Sequence, residues 1–175
     1  MKLFRPSRET SDSQNILKTL LYSLIIWIIG LILIPWFFIF LDKTLGLHHF
    51  SNPFTTIMGW MVLLLASIAN LYTGFILARN GKGTPLPLDT AQRLVIVGPY
   101  RFVRNPMAMF GLTQGIGVSL IVGSWSYLLA IPLAAGIWHF LVRPLEERDM
   151  MVRFGNDYQI YCQAVRCWIP RCRPW

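Results

Sequence analysis

The chain has 175 residues, of which 54 % are hydrophobic and only 14 % charged, and it carries a net charge of +8. Soluble domains hold about 25 % charged residues, so an ordinary soluble fold is excluded, and the length suits one domain. Nucleic acid is not needed to explain the positive charge, because basic cytoplasmic loops and anionic lipid headgroups account for it.

A membrane-crossing helix needs roughly 20 mostly apolar residues. Residues 16–41 qualify, with Lys18 the one charge near their start. This run is too long for the apolar core of a cleavable leader, and no small-residue cleavage site follows it. Residues 53–78 form a second, uncharged run; 105–122 form a shorter, glycine-bearing third; 124–142 form a fourth whose one titratable group is His139. Little more than Gly123-Ser124 separates the last two, which predicts a tight helical hairpin. Pro35 and Pro132 lie inside spans, where neighbouring groups can satisfy the freed carbonyls. Gly115 and Gly117 predict a close helix–helix approach.

The fold class expected is all-α: a multi-pass membrane protein of about four transmembrane helices with a cytoplasmic C-terminal helical segment. Residues 1–175 form a single integral-membrane domain, with 1–79 as a two-span part and 80–175 as a catalytic part. Lys2, Arg5, Arg8 and Lys18 precede or open the first run, and Lys43 alone lies between runs one and two. Arg79, Lys82, Arg93, Arg101 and Arg104 lie between runs two and three, and six further arginines follow the fourth. Four crossings put all of these but Lys43 on one side, so both termini and the polar segments are expected to be cytoplasmic. Cys162, Cys167 and Cys172 are five residues apart, unlike the close pair of a zinc site, and no metal is expected.

Chemistry-bearing residues gather in two blocks, 91–111 and 143–171. In the first, Gly98-Pro99 marks a turn. Leu94 to Val97 form an apolar strip suited to line a slot or lie on the membrane. Asn105 can cap the third run with Pro106 at its first helical position. In the second block, Pro144 starts a new helix. Glu146 and Glu147 then lie in its first turn, where the helix dipole favours carboxylates. Arg143 can reach either Glu. Phe154-Gly155 breaks the helix, and 156–165 resume it with Tyr158 and Tyr161 on neighbouring faces. His139 reads as an interface or core residue.

Taken together, Leu94, Val95, Gly98, Tyr100, Arg104, Asn105 and Pro106, then a hairpin, then Glu146, Glu147, Phe154, Gly155, Tyr158, Tyr161 and Pro170, form an ordered set. It resembles the isoprenylcysteine carboxyl methyltransferase family and its relatives, the membrane phospholipid N-methyltransferases. The resemblance implies S-adenosylmethionine as methyl donor in a pocket at the cytoplasmic face, roofed by the tail. It implies that Gln92, Leu94, Val95, Tyr100, Asn105, Pro106, Met107 and Glu146 line the cofactor. Arg104 or Arg101 suits the cofactor carboxylate as a charge-assisted pair, and Arg143 is assigned to the substrate. Asn105 stands where many members have His, so no proton transfer is given to it, and Ala108 stands where many have Tyr. The other substrate is expected to be lipophilic and to enter sideways from the membrane lipid. A nicotinamide-dependent membrane reductase and a small four-helix transporter or assembly protein are the rival readings. The transporter is weakened by the absence of an acidic residue within the runs.

Overall fold

The computed structural model describes residues 11–85 and 90–175. The N-terminal arm with Lys2, Arg5 and Arg8 lies outside the described residues. The described residues are helical apart from turns and an isolated bridge between Thr84 and Thr90.

Among the described residues, three helices are long and apolar enough to cross a membrane: the first, Asp12–Thr44; the second, Pro53–Gly81; and the fourth, Trp125–Ala164. Between the last two lies a shorter apolar helix, Pro106–Val122, the third. Their surfaces carry residues such as Leu64 (62 % exposed), Leu129 (69 %) and Phe140 (75 %), an arrangement that only a hydrocarbon surrounding favours. The molecule is an all-α, multi-pass integral membrane protein.

Local chemistry sets the helix ends. Ser11 accepts from the Gln14 N–H at the start of the first helix. Asn52 and Thr55 form a reciprocal capping box at the start of the second, with Pro53 in the first turn. Gly123 takes a left-handed conformation (φ 67°), and Ser124 accepts from the Tyr127 N–H, so the expected hairpin turn forms.

Prolines do more than the sequence suggests. The first helix passes through a π-helical turn, Ile29–Leu33, just before Pro35, and the fourth through another, Trp138–Val142, just before Pro144. A proline lacks the N–H for the usual bond and crowds the carbonyl four residues back, and a wider turn relieves both. The Ile34 N–H donates to Ile29 O, and the Arg143 N–H to Trp138 O. The fourth helix is therefore continuous through Pro144. This corrects the expectation of a new helix there: no free helix start lies beside Glu146 and Glu147 to favour their charge. The break at Phe154-Gly155 does occur, as a kink at Gly155 (φ 51°, ψ −125°).

The second and third helices make the closest pair. A Cβ on Gly117 would lie 2.8 Å from Leu63 N, and one on Gly59 2.7 Å from Gly117 O, so the two backbones touch. Gly115 instead faces Tyr127 and Ile131 of the fourth helix. The first half of the first helix packs on the second helix, whereas its packing on the fourth is concentrated in Ile34–Thr44. At that end, buried Asp42 accepts from Ser124 Oγ (2.5 Å) and the Ser126 N–H (3.2 Å). At the other end, Lys82 pairs with Asp12. The first and fourth helices are thus joined at one end and splayed at the other, where the polar blocks lie.

Candidate active site

The polar site is assembled where the third helix begins, under the last part of the fourth. The short 3-10 turn Gly98–Arg101 buries Tyr100, whose carbonyl accepts from Tyr161 Oη at 2.6 Å. Tyr158, Tyr161 and Val165 form a small core beyond the kink, and Leu94 and Ile96 pack against it. The tail is fastened over this turn: the Arg171 N–H donates to Phe102 O (3.0 Å), the Trp175 N–H to Arg101 O (3.2 Å), and the Arg104 N–H to Arg166 O (3.0 Å).

Glu147 sits between two guanidiniums. Arg104 Nη1 is 2.9 Å from its Oε1, and Arg143 Nε approaches at 2.9 Å with Nη2 at 3.3 Å from Oε2. The expected pairing of Arg143 with a carboxylate one turn on is thus made, with Glu147. Arg104 also donates to Cys162 Sγ at 2.7 Å. Asn105 occupies the position before the third helix with Pro106 in its first turn, but its side chain makes no cap; it donates instead to Cys167 Sγ at 3.2 Å. The backbone at Asn105 (φ −123°, ψ 60°) turns the side chain toward the tail rather than toward the helix N–H groups. That corrects the capping expectation.

Glu146 has no hydrogen-bond or ion-pair partner among the described residues. Burial, and then the neighbouring charge of Glu147, push its carboxyl up to about 7. Burial, with Tyr161 and Glu146 nearby, also holds the Tyr100 phenol well above its usual range.

These groups line one end of a cavity of about 840 Å³. Leu94, Val95, Tyr100, Arg104, Asn105, Pro106, Met107 and Glu146 all belong to its wall. Gln92 and Arg143 do not: Gln92 is tied by its N–H to Gly81 O (2.7 Å), and Arg143 lies behind Glu147. His139 is also off the wall. It accepts from Trp168 Nε1 at 2.8 Å, beside Arg143, consistent with a packing residue.

Two parts of the wall escaped sequence reasoning. One is the pair Asp149 and Arg153, 2.6 Å apart, whose arginine reaches Ala91 O; their four-residue spacing was the available signal. The other is the apolar remainder of the cavity. It runs down the first helix through Trp27, Gly30, Ile34 and Phe38, and down the fourth from Trp138 to Tyr127. Ile26 (51 % exposed), Leu133 (65 %) and Ile137 (50 %) line it while facing outward, so the cavity opens sideways between the splayed helices.

The chemistry of the wall fits a zwitterionic methyl donor of the expected kind. It offers an unpaired carboxylate, a flat apolar wall, and Arg104, whose buried Nε has no partner. No match was found among curated proteins. The phospholipid methyltransferase family model matches residues 54–157. That stretch covers more than half of the chain and takes in the second and third helices, the turn at Tyr100, Arg104 and Asn105, and both glutamates. This chain belongs to the phospholipid methyltransferase family of membrane methyltransferases.

Proposed function

We propose that the protein transfers a methyl group from S-adenosylmethionine to a lipophilic acceptor, with the donor held at the polar end of the cavity and the acceptor chain in its apolar remainder. The observation that carries this reading is the continuity of the two parts within one cavity. When bound, the cofactor supplies an electrophilic methyl on a sulfonium. Glu146 is the group that holds its ammonium or ribose diol. Leu94, Val95 and Tyr100 wall the adenine, and Arg104 with the Asn105-Pro106-Met107 segment closes the remaining side. Displacement at a methyl group needs alignment more than proton transfer, so these residues bind and orient while the tail keeps water out. Residues 80–175 carry the polar chemistry and 1–79 supply the opposite apolar wall, with the polar end facing the cytoplasm.

The cations left over bear on the acceptor headgroup. Arg104 and Arg143 both hold Glu147, and Arg153 holds Asp149. An isoprenylcysteine carboxylate, the acceptor implied by the sequence resemblance, would draw on Arg93, an exposed guanidinium of the cavity wall with no ion pair among the described residues, or else open one of these pairs; an amine headgroup needs neither. Nothing in the family match favours a nicotinamide reductase or a transporter. Incubating purified protein and a native lipid extract with methyl-labelled S-adenosylmethionine, then identifying the labelled lipid by mass spectrometry, tests the reading. A base-labile label marks a carboxyl ester and a base-stable one an N-methyl product. Absence of any labelled lipid overturns the proposal.

A further inference from the structure

We infer that Tyr127 is the floor of the apolar shaft and sets the length of acceptor chain the enzyme takes. Three contacts fix it there. Its ring packs on Phe38 with centroids 5.8 Å apart. Its hydroxyl donates to Gly30 O at 2.9 Å. A Cβ on Gly115 would meet that hydroxyl at 3.4 Å, so the third helix closes the remaining side. The bond to Gly30 has a specific origin. In the π-helical turn the Ile34 N–H goes to Ile29 O, which releases the Gly30 carbonyl from its usual helical donor. Tyr127 supplies the replacement. Below it, Asp42, Ser124 and Ser126 bind the two helices together, and none of them lines the cavity.

The shaft between Trp138 and Tyr127 spans eleven residues of helix, about 16 Å at 1.5 Å per residue. That is half of the roughly 30 Å hydrocarbon core, the depth of one leaflet. A single lipid chain entering sideways with its headgroup beside the donor, at the level of Trp138, would reach Tyr127 and stop.

This inference rests on reading the cavity as the acceptor site, and its test needs no methyl transfer. A fluorescent fatty amine bound to the detergent-purified full chain is displaced by a homologous series of saturated lysophosphatidylethanolamines. For the native protein, affinity should rise about fourfold per added methylene up to one length and then level off. Tyr127→Ala should move that plateau to longer chains. Ala130→Leu, which fills the wall one turn above the floor, should move it to shorter ones. Should Tyr127→Ala fail to fold, Ala130→Leu decides alone, since it breaks no hydrogen bond. An unchanged plateau in the folded variants overturns the inference. A plateau that shifts in a protein transferring no methyl group overturns the proposed reaction and leaves the floor in place.

Discussion

Glu146 and Glu147 are neighbours in sequence with opposite duties. Glu147 neutralises Arg104 and Arg143, so Glu147→Gln leaves two half-buried guanidiniums short of a partner. We expect a stability loss of about 1–3 kcal/mol, read by thermal unfolding. Glu146 has no such partner, and its carboxyl is raised to about 7. A raised carboxyl binds its proton more tightly in the folded state. Stability therefore falls as pH rises from the ordinary carboxylate range through about 7. Glu146→Gln removes that penalty, so it should hold or raise the melting temperature while weakening S-adenosylmethionine binding tenfold or more. The same carboxylate makes binding pH-dependent. A cationic ligand group favours the ionised form, so affinity should drop by up to tenfold per pH unit below about 7 and level off above it. Calorimetry near pH 7 in two buffers of different ionisation enthalpy should show proton release on binding. Equal heats in both would remove Glu146 from the ligand contact. Asn105→Ala, with no cap to lose, should cost about 1 kcal/mol or less in stability and still weaken the cofactor.

Among the elements, the contact of the second and third helices admits the least change. Gly117→Ala would put a methyl 2.8 Å from Leu63 N and 2.9 Å from Gly59 O. Backbone cannot step aside as a side chain can, and we expect about 1–3 kcal/mol of destabilisation or more. Gly136 meets nothing within 4 Å of a built Cβ, so Gly136→Ala should be neutral or stabilising by up to about 1 kcal/mol. Equal melting temperatures for the two variants would contradict this packing. The elements also show what the sequence discloses. The turn at Gly123-Ser124, the kink at Gly155 and the Arg143–Glu147 pair follow from contacts within a few residues, and all three were legible. The π-helical turns were not, although their prolines were in view, because how a helix absorbs a proline depends on its neighbours. The apolar half of the cavity was hidden for a related reason. Its walls, such as Ile34 and Ile131, come from helices far apart in the chain, and nothing local says they leave a gap.

For the molecule as a whole, the basic residues define one end. Arg79, Lys82, Arg101, Arg104 and the arginines from Arg143 onward lie at the end where Asp12 meets Lys82, and Lys43 lies at the other. The proposed topology makes the basic end cytoplasmic. Cys172 is exposed and belongs to the basic end. A membrane-impermeant maleimide should therefore leave it unlabelled in sealed cells and label it after permeabilisation, and labelling of sealed cells would invert the topology. The bond network of Asp42 with Ser124 and Ser126 acquires a mechanical meaning in this frame. It is a fulcrum. With one end of the first helix held there, the stretch from the wide turn at Ile29 back to Asp12 is an arm roughly 25 Å long, steadied by its packing on the second helix and by the Asp12–Lys82 pair at its tip. A swing of about five degrees moves its tip by about 2 Å, so widening the gap facing the lipid means loosening the Asp12–Lys82 pair while the second and third helices stay packed.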